Sequence, residues 1–335
     1  MESVSDKKNE LKVLTIIMVG SFLLMTALNP GQFLRTGNLQ GMAFQLPELG
    51  VLSIAMMIVM LTGGINLSVI ATANIAGIVT ALVLKAPGLG AGTAGGGIIL
   101  LAIAAGLLAA LLVGLLNGVL IAYVGVAPIL TTLGSMILVN GLTIVITRGY
   151  VISGFPQAVL FIGNGTLAGI PVPLLLFVII AALVALFLNR TPTGFNIYMY
   201  GSNDTATRFY GGNNHQVILR TYLISSLLSG LAAMIMISRF NSAKAGYGSS
   251  YLLVTILAAV LGGTSSEGGF GRISGLILAL ATLQIISSGL NLLRVSSFMT
   301  LSIWGFIMIL VMVVNYYIDR HNEYMLRASV QGSKE

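Results

Sequence analysis

Apolar segments alternate with short polar loops along almost the whole chain. About 20 consecutive apolar residues cross a bilayer as one helix, and ten segments approach that length. Two of them deviate, because 251–264 is short and 96–123 is long enough to tilt or break. The pattern predicts an all-α polytopic membrane protein with about ten transmembrane helices, at residues 11–28, 43–62, 66–85, 96–123, 127–147, 170–188, 216–238, 251–264, 271–290 and 298–317.

The composition agrees with this class of protein. Of the 335 residues, 56% are hydrophobic and only 7% are charged, with a mean hydropathy of +0.99. The chain has no cysteine, which excludes disulfides and thiolate metal sites. Its two histidines, His215 and His321, fall in separate polar loops, so we expect no metal site.

The basic residues predict the orientation in the membrane. An even number of spans places both termini on one side, and cytoplasmic loops are rich in Lys and Arg. With both termini inside, the cytoplasmic parts hold ten basic residues and the external loops hold six. The net charge of +7 is scattered over these loops, which does not favour a nucleic-acid surface. The sequence predicts cytoplasmic tails at 1–10 and 321–335, a membrane domain at 11–320 and a cytoplasmic segment at 189–215.

A polar stretch within that cytoplasmic segment, residues 201–212, has the signals of a short helix. Ser202 or Asn203 is a suitable N-cap, and Asp204 follows in the first turn, where a negative charge is favoured. Arg208 suits the last turn and Gly211 the left-handed stop. We therefore expect a two-turn helix between two glycine hinges, on which another protein pushes. The alternative is an ordinary capped helix in a loop.

Two further loops share a pattern. Each has a Gly-Gly break after an apolar segment, then small polar residues and a new helix, at 61–68 and at 261–272. Glycine breaks at corresponding places in two halves of a chain are typical of a transport path built from repeats. The pattern predicts a pseudo-repeat of four or five spans, with two unrelated tight turns as the alternative.

The fourth span carries small residues at every fourth position, which places them on one helix face. Such a face allows a neighbouring backbone to approach closely in a membrane. We therefore expect tight helix packing along Gly106, Ala110, Gly114, Gly118 and Ala122.

The polar side chains within the spans are mostly neutral amides and hydroxyls, which suit an uncharged solute rich in hydroxyl groups. Glu48 is the acidic exception and is expected near the outer end of its span. A proton- or sodium-driven carrier typically needs several intramembrane carboxylates, so we expect an external energy source. Candidates for the translocation path are Asn66, Asn117, Asn140, Gln284, Ser288 and Asn291; the alternative for each is a hydrogen bond between helices.

No motif for catalysis is present in the sequence. The glycine stretches lack the GxxxxGK[ST] phosphate cradle, so this chain is not expected to hydrolyse ATP by itself. We assign no catalytic residue and no cofactor to it.

An ordered set of motifs resembles the permease subunits of bacterial ABC importers of the ribose, xylose and galactose type, a group that includes autoinducer-2 importer permeases. The set covers nearly the whole chain. It comprises LTGGINLSV at 61–69, GLLNG at 114–118, Pro128 with TLG at 132–134, GSNDTATR at 201–208, AVLGGTS at 259–265 with glycines 268, 269 and 271, and SGLNLL at 288–293 followed by VSS at 295–297.

The resemblance implies several partners in the bacterial inner membrane and on both of its sides. These are a second permease copy or paralogue, a cytoplasmic ATPase with two fused nucleotide-binding domains that binds ATP and Mg, and a periplasmic sugar-binding protein. It implies coupling to the ATPase through Ser202, Asn203, Asp204, Thr205, Ala206, Thr207 and Arg208. Binding-protein docking would involve the external residues Arg35, Arg148, Arg239, Lys244 and Arg294.

The expected function is import of a monosaccharide or a sugar-like solute. The alternatives are an autoinducer-2 or nucleoside importer permease, a stand-alone secondary carrier, and a membrane scaffold without a solute. Two departures from the family pattern stand out. Asn66 replaces a usual Asp, and 209–212 reads FYGG where the family tends to have Leu-Ser-Gly and an aliphatic residue, which suggests a dedicated ATPase partner.

Overall fold

The computed structural model describes residues 4–86, 96–296 and 298–313, with side chains from residue 11 onward. The helices are α1 Val4–Leu28, α2 Thr36–Met60, α3 Val69–Leu84, α4 Gly96–Val119, α5 Pro128–Thr147, α6 Gln157–Asn164, α7 Val172–Arg190, α8 Pro192–Ser202, α9 Asp204–Phe209, α10 Asn214–Phe240, α11 Tyr251–Leu261, α12 Ile273–Leu292 and α13 Phe298–Val313. The predicted tail 321–335 and the end of the tenth span lie outside the described residues.

The prediction of an all-α polytopic membrane protein is confirmed. Within the described ranges, seven helices are long and apolar enough to cross a membrane, and three shorter apolar helices, α3, α11 and α13, bring the number to ten. The short α11 has 11 residues. At 1.5 Å per residue it extends about 16 Å, roughly half of a bilayer core.

Short strands also occur, in the connections at one end of the bundle. β1 Ile152–Ser153 pairs antiparallel with β4 Ser242–Ala243, and β2 Thr166–Leu167 pairs with β3 Ile170–Pro171. We call this end of the bundle, with residues 29–35, 148–171 and 241–250, the strand end. The opposite end, with residues 61–68, 189–213 and 262–272, is called the glycine end.

Two helices begin earlier than the apolar pattern predicts. α1 already starts at Val4, within the predicted tail 1–10, because its first turns contain good helix formers such as Lys and Leu. α2 starts at Thr36 rather than at residue 43, and Asn38 in this additional part accepts a hydrogen bond from Ser288 on α12. Glu48 lies close to the middle of α2, where it faces Arg239 in the last turn of α10 and Tyr251 at the start of α11.

The core of the bundle is formed by α2 and α10. Every α2 residue from Val51 to Met60 is buried, and α10 packs against α2, α3 and α4. The small face of α4 has the packing role expected from the sequence. A side chain at Gly106 would meet α3, whereas one at Gly114 or Gly118 would meet α10.

A π-helical turn, Leu120–Val124, ends α4. Its Ala122 carbonyl contacts the His215 ring Nδ1 in the first turn of α10, and the ring stacks on Tyr123 with centroids 5.2 Å apart. The last four carbonyls of a helix have no intrahelical partner, and the His215 ring contacts one of them. This contact joins α4 to the start of α10 at the glycine end.

Candidate functional site

The segment between α7 and α10 contains two helices rather than one. The N-cap of α8 is Thr191, whose Oγ1 accepts a hydrogen bond from the Gly194 N–H at 3.1 Å, and Pro192 occupies the first helical position. The Thr-Pro pair is an N-cap followed by a proline at N1. Sequence reasoning missed this helix, although that signal was present.

The second helix, α9, has the predicted caps. The Ala206 N–H donates to Asn203 Oδ1 at 2.9 Å, so Asn203 is the N-cap, whereas Ser202 ends α8. Asp204 lies in the first turn and Arg208 in the last turn. Gly211 follows with a left-handed φ of 81°. The caps define where this short helix begins and ends.

One face of α9 is anchored while its C-terminal end is exposed. Thr207 is buried, and Asn214 Nδ2 at the start of α10 donates to the Asp204 carbonyl at 3.0 Å. Asp204 and Arg208 are exposed, and Phe209 and Tyr210 are 87% and 84% exposed. Two large exposed aromatic side chains beside an ordered helix are typical of a surface that binds another protein.

Two half-buried tyrosines lie on α8, and one of them joins it to the rest of the glycine end. The Tyr198 hydroxyl donates to the Gly271 carbonyl at 2.9 Å. Burial raises the pKa of Tyr198, with the Arg272 charge acting in the opposite direction, so the phenol keeps its proton as a donor. Burial and the Asp204 charge also raise the pKa of Tyr200, partly opposed by Arg208.

The two glycine breaks identified in the sequence meet each other and α8. The Gly269 N–H donates to the Leu61 carbonyl at 2.9 Å, which joins loop 261–272 to loop 61–68. Gly201 lies directly on this contact. Gly201 belongs to the helix α8, so its prediction as a hinge is wrong; the absence of a side chain permits close packing there.

Two of the predicted translocation residues form one buried cluster near the glycine end. Asn66 Nδ2 donates to Ser225 Oγ at 3.1 Å, and Asn66 Oδ1 accepts from the Ser68 hydroxyl at 2.7 Å. Asn117 Nδ2 donates to Ser68 Oγ at 2.9 Å. Among the described residues, Asn117 Oδ1 has no hydrogen-bond partner although it is buried. Within this part of the chain, the cluster therefore holds one buried amide oxygen whose hydrogen-bonding capacity is not used.

Gln284 and Ser288 form a separate group on α12, facing α2. Gln284 Nε2 donates to Gln45 Oε1 at 3.2 Å, and the Ser288 hydroxyl donates to Asn38 Oδ1 at 2.8 Å. The remaining two candidates belong to neither group. Asn140 is half-buried on α5, and Asn291 is exposed near the end of α12. The six predicted residues are thus not brought together into one site.

Glu48 is buried between three helices. Its Oε1 accepts a hydrogen bond from the Tyr251 hydroxyl at 2.7 Å and lies 3.2 Å from Arg239 Nη2. Glu48 is fully buried and the Arg239 side chain is 17% exposed. Because the desolvation of a charge is costly in a membrane, such groups are paired. The ion pair joins α2 to α10, and the hydrogen bond from Tyr251 joins α2 to the start of α11.

This ion pair separates Arg239 from the other predicted docking residues. Its guanidinium is turned inward, toward Glu48. Arg35, Arg148 and Lys244 are exposed at the strand end, and Arg294 is exposed just after the end of α12. These four therefore remain the accessible cations of the predicted set.

Comparison with known proteins identifies the family. Residues 38–314 match the family described as the branched-chain amino acid transport system / permease component. The ribose import permease protein RbsC of Bacillus subtilis is 36% identical over 88% of this chain and 88% of its own length. The Escherichia coli K12 protein of the same name is 32% identical over 92% of this chain and 93% of its own.

A third relative carries a different name. The autoinducer 2 import system permease protein LsrD of Klebsiella pneumoniae is 30% identical over 95% of both chains. No solved structure matches the chain. The resemblance to importer permeases seen in the sequence motifs is confirmed by these relatives. The chain belongs to the family of transport-system permease components.

Proposed function

We propose that this chain is the membrane-spanning subunit of an ATP-driven importer for a monosaccharide or a similar sugar-like solute. The relatives named for ribose and autoinducer-2 import support this class of solute. The observation that carries the proposal is α9, which has a capped, anchored face and an exposed aromatic end. ATP is bound and hydrolysed by a separate subunit, and this chain forms the path for the solute.

The ATPase binds on the glycine end, against α9. Ser202, Asn203, Asp204, Thr205, Ala206, Thr207 and Arg208 form and flank the helix that transmits its movement. The exposed charges Asp204 and Arg208 orient the partner, because exposed charges contribute more to docking geometry than to affinity. Phe209 and Tyr210 enter an apolar groove of the ATPase, as expected for exposed aromatic anchors.

The neutral polar groups in the spans suit the chemistry of a sugar. Asn66 and Asn117 form a buried cluster with an unpartnered amide oxygen, which is able to accept a bond from a solute hydroxyl. Gln284 and Ser288 line a second position along α12. Asn140 and Asn291 complete the proposed path at its edges.

The exposed cations at the strand end form the docking surface for a periplasmic sugar-binding protein with acidic rims. Arg35, Arg148, Lys244 and Arg294 are accessible for this role, and Arg239 supports the surface from within through Glu48. In this arrangement the strand end faces the periplasm and the glycine end faces the cytoplasm. Both termini are cytoplasmic in the bacterial inner membrane, and a second copy or paralogue completes the pore.

The ATPase assignment is tested by co-purification of the tagged chain from its native membrane in mild detergent. We expect an ATPase with two nucleotide-binding domains in the eluate. In the variant Phe209→Ala/Tyr210→Ala, its apparent affinity is expected to fall by about tenfold or more, as for the removal of aromatic hot spots. Phe298→Ala is the matched control, because the Phe298 side chain is equally exposed, at 84%, but lies at the end of the helix bundle opposite the glycine end.

The outcomes distinguish the importer from a secondary carrier. A chain that purifies alone and exchanges solute in vesicles without ATP contradicts the proposal. Equal loss of the ATPase in the Phe298→Ala control contradicts the assignment of the docking site. Uptake of labelled ribose, an autoinducer-2 analogue and a nucleoside by the reconstituted complex then separates the solute classes.

A further inference from the structure

The glycine end contains a junction at which three distant chain segments touch through their backbones. The segments are 61–63 after α2, 198–202 in α8 and 267–271 between α11 and α12. The hydrogen bond from the Gly269 N–H to the Leu61 carbonyl, at 2.9 Å, joins the first to the third. We call this contact region the glycine junction.

Gly201 fits the junction only because it has no side chain. A Cβ at this position would overlap the Leu61 carbonyl oxygen and the Gly269 backbone nitrogen, the two atoms of that hydrogen bond. Both are backbone atoms and are unable to move aside as a flexible side chain does. The backbone of α8 is therefore seated directly on the link between the other two segments.

Glycines on the other two segments are equally constrained. A Cβ on Gly268 would lie 2.7 Å from the Gly63 nitrogen and 3.0 Å from the Gly201 Cα. One on Gly269 would overlap the Ser202 side chain. Gly63, Gly268 and Gly269 have φ of 73°, 97° and 77°, values that glycine adopts without the steric cost of a side chain.

A side-chain contact reinforces the backbone contacts. The Tyr198 hydroxyl donates to the Gly271 carbonyl at 2.9 Å, and a Cβ on Gly271 would lie 2.8 Å from Leu61 Cδ2. Tyr198 is on α8 and Gly271 precedes α12. A displacement of α8 therefore acts on both glycine breaks at once, because contacts without flexible side chains transmit strain instead of absorbing it.

We propose that the glycine junction is the positioning element that converts movement of the segment 189–215 into movement of α2, α11 and α12. Gly201, Gly268 and Gly269 are its positioning residues, and Tyr198 fastens α8 to it. The inference rests on the proposed function, since it assigns the route by which the ATPase acts on the spans. In this arrangement the positioning residues contact neither the solute nor the ATPase.

The test is Gly201→Ala in the reconstituted complex of permease, ATPase and binding protein. Gly201 lies within a helix, where alanine is intrinsically favoured over glycine, so any loss arises from the junction. We expect the ATPase to bind with unchanged affinity and to hydrolyse ATP. The solute transported per ATP hydrolysed is expected to fall by about tenfold or more, as for overpacking of a rigid contact.

Gly20→Ala is the matched control, because Gly20 is also helical and a Cβ there would meet nothing within 4 Å. Its transport per ATP is expected to equal that of the unmodified protein. Tyr198→Phe is the second variant; it removes one hydroxyl and keeps the ring, so it remains informative if Gly201→Ala does not fold. We expect it to lower transport per ATP in the same direction with a smaller effect.

The outcomes separate this inference from the proposed function. If the ATPase binds and both Gly201→Ala and Tyr198→Phe transport as much solute per ATP as Gly20→Ala, the glycine junction is not the route and the importer assignment stands. If the unmodified chain binds no ATPase, the proposed function fails. A fall in transport per ATP with retained ATPase binding supports the junction.

Discussion

At the glycine end, the segments 61–63, 198–202 and 267–271 touch through their backbones, whereas toward the strand end α2 is joined to its neighbours through side chains. Those side-chain contacts are Glu48 with Arg239 and Tyr251, Gln45 with Gln284, and Asn38 with Ser288. A side-chain hydrogen bond is able to break and re-form when helices separate. A glycine backbone contact has little room to adjust.

Because of this difference, we expect the two ends to behave differently when the transporter changes conformation. The glycine end keeps its geometry and transmits force from α8, while the polar contacts of α2 with α10, α11 and α12 open and close. The short α11 connects the two kinds of contact, since Tyr251 at its start contacts Glu48 and Gly262 follows its end.

The largest expected effect concerns the charged contact. Arg239→Ala leaves the Glu48 carboxylate buried without a cation, and we expect a loss of about 3–5 kcal/mol of stability, as for other broken buried pairs. Thermal unfolding in detergent measures it. Arg294→Ala, which removes an exposed cation, is the control and should change stability by less than about 0.5 kcal/mol. Equal effects of the two variants would show that the pair does not hold α2 to α10.

The next effect tests the backbone contact by comparing two glycines with nearly the same conformation. Gly269 and Gly246 have φ of 77° and 79°, but only the Cβ on Gly269 would overlap neighbouring atoms. Alanine at either position costs about 1–2 kcal/mol for the left-handed backbone. Gly269→Ala should cost about 1–3 kcal/mol more because of overpacking. The same unfolding midpoint for both variants would argue against tight packing at the glycine junction.

The smallest effect concerns the N-cap of α9. Asn203→Ala removes the acceptor for the Ala206 N–H and should destabilise this helix by about 1 kcal/mol. Hydrogen–deuterium exchange of the α9 amides should therefore become faster by roughly fivefold. Ser202→Ala, whose side chain is not the cap, is the control. Exchange that accelerates equally in both variants would contradict the capping role of Asn203.

Sequence patterns predict the local features of this protein well. The lengths of the apolar segments predict the spans. The helix α9 is predicted by Asn203, Asp204, Arg208 and Gly211, because caps and charges act within one or two helical turns. The Thr191-Pro192 signal for α8 is equally local. The small face of α4 is likewise read from the spacing of Gly106 and Gly114.

Features that depend on contacts between distant segments are not predicted. Gly201 resembles a hinge in the sequence, and only the fold shows that it packs on Leu61 and Gly269. Arg239 resembles an exposed loop cation, and its partner Glu48 is far away in the chain. The translocation candidates share a chemistry, but their division between the Asn66 cluster and α12 depends on which helices are neighbours.

The most direct measurement of the central claim is a pair of spin-label distances in the reconstituted complex, with and without ATP. The chain has no cysteine, so labels are introduced specifically. Thr205→Cys/Ser266→Cys reports on the glycine end and Gln32→Cys/Ser249→Cys on the strand end, all at exposed positions. The account predicts that ATP leaves the first distance unchanged and alters the second. A change in the first distance with a constant second distance would contradict it.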